Sequence, residues 1–189
     1  ILSIARTVDA KDSNTSEHSF RVSEYSVAIA KRLQYSKEKC ENLRQMALLH
    51  DIGKIGIDEA ILNKPGRLTA EEFESMKAHT TIGADMLRNL PRYQEERILQ
   101  IAIEICRWHH ERYDGKGYPD GLVGDEIPIS AQLVSIADVY DALTSERVYK
   151  KAFSHEKAMQ MIREGECGAF NPLLLSCLEE IADELQAEM

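Results

Sequence analysis

An all-helical fold is predicted by three features of this 189-residue sequence. Apolar residues recur at three- and four-residue spacing along most of the chain, the pattern of a helix with one inward face. Aromatic residues make up only 6% of it, whereas strands draw heavily on aromatic side chains. Helix-start signals recur as well, among them Thr69-Ala70-Glu71-Glu72 and Asn171-Pro172. The length suits one domain with its own core, expected over residues 1–189 as a bundle of about seven helices.

The elements follow in order. Residues 1–10 read as the end of a helix arriving from an upstream region, and Lys11–Ser16 as a polar loop. Val22, Ser26, Ile29 and Leu33 mark the next helix, with His18 at its start. Lys37–His50 places Leu43, Met46, Ala47 and His50 on one face and runs into Asp51-Ile52-Gly53, where Gly53 is expected to stop the helix. Asn63-Lys64-Pro65-Gly66 is a turn. Thr69 and Glu72 form a capping box that opens a helix with Phe73, Met76, Thr80, Gly83, Leu87 and Leu90 inward and His79 beside them. The apolar stretch Ile98–Trp108 ends at His109-His110, followed by a glycine-punctuated loop that reaches Pro128. Ser130 is expected to cap a helix burying Leu133, Ile136, Ala137 and Tyr140, with Asp138 and Asp141 three residues apart on it. A basic cluster at Arg147–Lys151 precedes a helix from Ser154 to about Gly165, with His155 exposed in its first turn. Asn171 and Pro172 open the last helix, through Leu175, Leu178, Ile181 and Leu185.

Composition excludes several functions. A net charge of −9 argues against a broad surface for DNA or RNA duplexes. No apolar run approaches the roughly 18–20 residues that span a bilayer. Cys40, Cys106, Cys167 and Cys177 form no CxxC pair, which points to thiols in a reducing compartment, the cytoplasm by default.

Taken singly, the histidines are ordinary. His18 reads as a helix-terminal residue facing water, His79 as a core residue with one hydrogen bond, and His50-Asp51 as a simple cap. Taken together, His18, His50, His79, His109 and His110 all fall at helix ends or beside apolar stripes, and with Asp51 and Asp138 they make a set of imidazoles and carboxylates spread over five helices. Helical bundles build di-metal sites from such inward donors. Seven donors exceed the needs of one ion, so two ions sharing Asp51 is the economical reading. Nitrogen and oxygen donors without thiolate suit iron, manganese, cobalt or zinc.

His50-Asp51 with an earlier histidine and a later aspartate resembles the HD superfamily of metal-dependent phosphohydrolases. Residues 50–57 (HDIGKIGI), 64–69 (KPGRLT), 109–122 (HHERYDGKGYPDGL) and 136–150 (IADVYDALTSERVYK) closely resemble its HD-GYP subgroup, whose tripeptide is Gly117-Tyr118-Pro119. The likeness runs from about Val8 to Leu185. It implies an all-helical domain that hydrolyses cyclic di-GMP, to the linear dinucleotide or to GMP, at a metal centre in its core. By motif, His18, His50, Asp51 and Asp138 would hold one ion and Asp51 would bridge to a second held by His79, His109 and His110. Iron is the first expectation, with manganese, zinc or cobalt as alternatives. Lys54 would contact the scissile phosphate, Arg147 and Lys150 the other phosphate, and Tyr118 the rim of the site. Members with a third ion carry a glutamate four residues before the first histidine; here that position is Asn14, so two ions are expected. The resemblance also implies diguanylate cyclase domains as partners for the Gly117-Tyr118-Pro119 loop, and an upstream sensory or receiver domain. The rival readings are a non-catalytic cyclic di-GMP sensor or docking module, and a phosphodiesterase for another cyclic dinucleotide.

Overall fold

In the computed structural model, which describes residues 1–12, 17–90, 96–146 and 151–187, helical segments follow one another through the described residues. They are α1 (Leu2–Lys11), α2 (His18–Arg32), α3 (Lys37–Ala47), α4 (Glu59–Leu62), α5 (Ala70–Lys77), α6 (His79–Arg88), α7 (Arg97–Trp108), α8 (Ile129–Thr144), α9 (His155–Arg163) and α10 (Pro172–Ala187). Two 3₁₀ turns, Ile52–Gly56 and Gly124–Glu126, lie between them. Among the described residues there is no strand, and Asp114 and Val123 form an isolated antiparallel bridge.

Local chemistry sets many of these boundaries. Ser36 caps α3 by accepting from Lys39 N, Ser154 caps α9 by accepting from Lys157 N, and Asn171 accepts from Leu173 N at the start of α10. The Thr69–Glu72 capping box forms as expected. Ser130 is not a cap: α8 begins one residue earlier, and the Ser130 hydroxyl donates to Glu104 on α7 instead. The helix expected from 69 to 90 breaks at Ala78 into α5 and α6. There the His79 ring and the Thr80 hydroxyl take the carbonyls of Met76 and Lys77, which competes with the helical ladder. With the break, the inward stripe shortens to Thr80, Gly83, Ala84 and Leu87, while Phe73 and Leu90 are exposed.

The core is organised on α8, where every residue from Ser130 to Ala137 is buried, then Tyr140, Asp141, Leu143 and Thr144. Val22 and Ile29 of α2, Ile105 of α7 and Leu178 of α10 close around it with no exposed surface. Burying such side chains contributes about 1.5–3 kcal/mol each. The Ile52–Gly56 turn lies against α6 without an intervening side chain, because Gly53 meets the His79 carbonyl and the Gly83 amide. Gly53 therefore does not end a helix; α3 stops at Ala47, and glycine is required here for close approach. His155 also departs from expectation, half-buried with Nδ1 2.9 Å from the Tyr140 hydroxyl.

Candidate metal centre

The predicted histidine donors converge because each sits at or just beyond a helix end, aimed into the core. His18 is the first residue of α2 and His79 the first of α6; His109 and His110 follow the last turn of α7. His50 and Asp51 occupy the turn between α3 and the 3₁₀ segment. His50 and His109 are fully buried, and His79, His18 and Asp51 nearly so.

Asp51 divides the donors between its two oxygens. Its Oδ2 lies 3.3 Å from His50 Nε2 and 3.9 Å from His18 Nε2, and its Oδ1 lies 3.4 Å from His79 Nε2 and 3.7 Å from His109 Nε2. One donor atom from each of His18, His50 and Asp51 falls within 4.8 Å of the others, and the same holds for Asp51, His79, His109 and His110. Asp138 on α8 joins the first group through His18, at 3.5 Å from Nε2.

The far side of each ring is held. Nδ1 of His50 donates to Ala47 O, that of His79 to Met76 O, and that of His109 to Ile105 O, at 2.7–2.9 Å. A carbonyl only accepts, so each Nδ1 carries a proton, and each ring in its neutral form presents an Nε2 lone pair. His18 Nδ1 is bonded at 2.7 Å to Asp141, which is itself clasped by Arg21. Yet Nε2 of His50, His79 and His109 and Oδ1 of Asp51 are buried without a hydrogen-bond partner. Leaving four such atoms unsatisfied around one point is costly, at about 1–3 kcal/mol each. Divalent cations held there would satisfy them together, and the donor set fits the borderline transition metals.

Titration behaviour follows from the crowding. Burial alone would lower the His50 pKa, but the neighbouring Asp51 carboxylate, with Asp138 behind it, lifts it from 6.5 to about 9. Burial, reinforced by His109, drives His79 down to about 4 against the pull of Asp51. Burial and the neighbouring His109 and His79 hold His110 well below 6.5. Asp51 stays ionised despite its burial because Lys54 and His50 stand beside it.

Lys54 completes the centre, with Nζ 2.7 Å from Asp51 Oδ2. Tyr118 forms one wall, stacked on His110 with ring centroids 4.9 Å apart; Phe73 stands edge-on to it and the Lys77 ammonium lies over both rings. Asn14, Arg147 and Lys150 lie outside the described residues.

Sequence reasoning missed the supports. Asp141 is one, and its three-residue spacing from Asp138 is the signal that could have found it. Glu111 is another. Buried directly after the paired histidines, it accepts from the amides of Asp120, Gly121 and Leu122 and folds the glycine loop back on the site. Gly117 lies against the Glu111–Arg112 backbone, where a Cβ would overlap main-chain atoms.

Comparison with known proteins agrees with this architecture. A family model described as HD domain matches residues 3–172. A Vibrio cholerae serotype O1 protein named cyclic di-GMP phosphodiesterase is 43% identical, the match covering 99% of this chain and 40% of that one. A second protein of the same organism, named 3'3'-cGAMP-specific phosphodiesterase 2, is 36% identical over 99% of this chain and 35% of its own length. The chain thus spans two fifths or less of the length of these relatives. A crystal structure described as cyclic GMP-AMP specific phosphodiesterases of V. cholerae (V-cGAP3) shares the fold, with a TM-score of 0.70 at 20% identity over 98% of this chain and 50% of that chain.

Proposed function

The chain belongs to the HD domain family, and from that premise we propose that it is a metal-dependent phosphodiesterase of the HD-GYP type that hydrolyses cyclic di-GMP. The observation that carries this reading is the division of the Asp51 oxygens between two histidine groups whose inward nitrogens have no other partner. His18, His50, Asp51 and Asp138 would hold one ion, and Asp51, His79, His109 and His110 the other. Bound there, divalent ions supply Lewis acidity and a water of lowered pKa. Iron is the first choice, then manganese, zinc and cobalt, and Asn14 in place of a glutamate limits the count to two.

The protein's own groups position and stabilise. The Lys54 ammonium has three N–H donors, and Asp51 and Asp12 take two of them at 2.7 and 2.5 Å. The third is left for a phosphoryl oxygen, where a fixed cation in a nearly dry site stabilises the charge that develops in displacement. The Tyr118 ring limits the substrate's approach beside His110, and Arg147 and Lys150 hold the second phosphate, a proximity effect. We place the protein in the cytoplasm on the four cysteines, none of which is in a disulfide. No helix among the described residues is long and apolar enough to cross a membrane.

A second reading, hydrolysis of 3'3'-cGAMP, is favoured by the relative so named. The deciding experiment loads metal-free protein anaerobically with Fe(II), Mn(II) or Zn(II), supplies each dinucleotide, and follows products by chromatography alongside metal per chain. Turnover of cyclic di-GMP with about two ions bound is expected. Preference for 3'3'-cGAMP would favour the second reading, and no turnover by fully loaded protein would make the domain a sensor or docking module. Failure to bind any ion would overturn the centre itself.

A further inference from the structure

Lys11, the last residue of α1, spends its ammonium on another element. Its Nζ donates to three main-chain carbonyls of the 3₁₀ turn and its exit: Lys54 O at 3.2 Å, Ile55 O at 2.9 Å and Ile57 O at 2.9 Å. The next residue, Asp12, accepts from Lys54 Nζ at 2.5 Å. Asn63 Nδ2 in turn donates to Lys11 O and fixes the end of the helix. One end of α1 thus grips the backbone of the turn while its neighbour grips the functional group that the turn carries.

An incidental surface contact would be worth little, because exposed ion pairs are solvated and screened. Here the Asp12 and Lys54 side chains are only 13% and 14% exposed, and the partners lie 42–46 residues away in sequence. A lysine that only capped its own helix would bond that helix's carbonyls. Three donors on three carbonyls of a neighbouring turn instead hold the turn's path.

We propose that Lys11 and Asp12 are positioning residues for Lys54. Asp12, opposite Asp51, fixes the rotation of the ammonium so that its remaining N–H faces the metal centre, and Lys11 holds the turn that carries both Asp51 and Lys54. The inference rests on the phosphodiesterase reading of that centre and adds to it a mechanical link from α1 to the reacting phosphate. Displacement of α1 moves Lys54, so the activity of the centre follows the position of this helix.

The test compares Asp12→Ala, Asp12→Asn, Lys11→Met, Lys54→Met and the Asp12→Ala/Lys54→Met double variant with the parent chain. Mn(II)-loaded proteins are assayed with cyclic di-GMP and with bis(p-nitrophenyl) phosphate, metal per chain is counted, and backbone amide exchange is followed without substrate. Asp12→Ala should lower kcat about tenfold with KM nearly unchanged and the metal content intact. Asp12→Asn, which keeps an acceptor oxygen, should recover part of the loss. In the Lys54→Met background Asp12→Ala should cost nothing further. Lys11→Met should speed exchange at the Lys54 and Ile57 amides, which bond within the turn. Equal losses from Asp12→Ala in both backgrounds, or an unchanged kcat, would overturn the role of Asp12. Unaltered exchange in Lys11→Met would overturn the clamp. If the parent chain hydrolyses neither ester, the functional reading falls, while the exchange experiment still decides whether α1 holds the turn.

Discussion

Asp51 is the residue on which the centre turns, since each of its oxygens serves a different set of imidazoles. Asp51→Asn keeps the shape but removes the charge and turns one oxygen into an N–H₂ that repels a cation. The expected outcome is at most one ion per chain and turnover lowered about a thousandfold, or about 4 kcal/mol of barrier. Metal analysis with single-turnover kinetics checks both, and a fully loaded, active Asp51→Asn would remove the bridging role. The two histidines on either side of Asp51 make a second prediction, for metal-free protein. His79, held near 4 by burial, stays neutral when folded, while the unfolded chain takes up a proton below about 6.5. Stability from His79 is therefore complete above 6.5 and falls as pH drops toward 4. His50, raised to about 9 by Asp51 against its burial, keeps its proton when folded. Its contribution is complete below 6.5 and is lost as pH rises through 9. Urea midpoints measured at about pH 5, 6.5 and 9 should accordingly peak at the middle value. Zn(II), which requires the unprotonated ring, should flatten the alkaline side; a monotonic profile in the metal-free protein would contradict the assignment.

At the level of elements, the decisive piece is the 3₁₀ turn Ile52–Gly56 pressed onto α6. It sets the distance from Asp51 to His79, and Gly53 permits that distance. Gly53→Ala would place a methyl group on the His79 carbonyl and push the two elements apart. Overpacking of this kind costs about 1–3 kcal/mol, and because the displaced pair are both donors, the same change should weaken the second ion's affinity. Calorimetric melting and metal titration together test this. A lowered melting point with unchanged affinity would show that the donors do not depend on this contact. The break between α5 and α6 serves the same end, because it turns His79 from a position within a helix into the first residue of one, with its ring directed inward.

Over the whole molecule, the centre joins α2, α6, α7, α8 and the turn after α3 at one point in the core. Metal binding is then part of folding: ions that bind the native state and not the unfolded chain stabilise it by mass action, about 2.7 kcal/mol at a hundredfold excess over Kd. Chelation should lower the melting temperature and restoring the ion should raise it again, while Leu133→Ala in the core of α8 should cost about 2–5 kcal/mol with or without metal. A chain whose melting point ignored chelation would not be knit together by its donors in this way.

Much of this was written locally. Helix periods, the caps at Thr69, Ser154 and Asn171, and the placing of histidines at helix ends depend on residues three or four apart, so the sequence alone determined the helical class and singled out the candidate donors. It did not determine the α5–α6 break, which arises from side chains competing for carbonyls within one turn, or the reason for Gly53, whose constraint comes from a neighbour 26–30 residues away. Nor did it show that Asp141 orients His18 from 123 residues away, that Glu111 gathers the loop amides, or that Lys11 and Asp12 reach Lys54. Those are contacts between elements, and a one-dimensional pattern carries no information on which faces meet. The candidate donors were legible because metal chemistry restricts residue type; their partners were not, because a hydrogen bond accepts almost any polar group and only the tertiary fold decides which one is near.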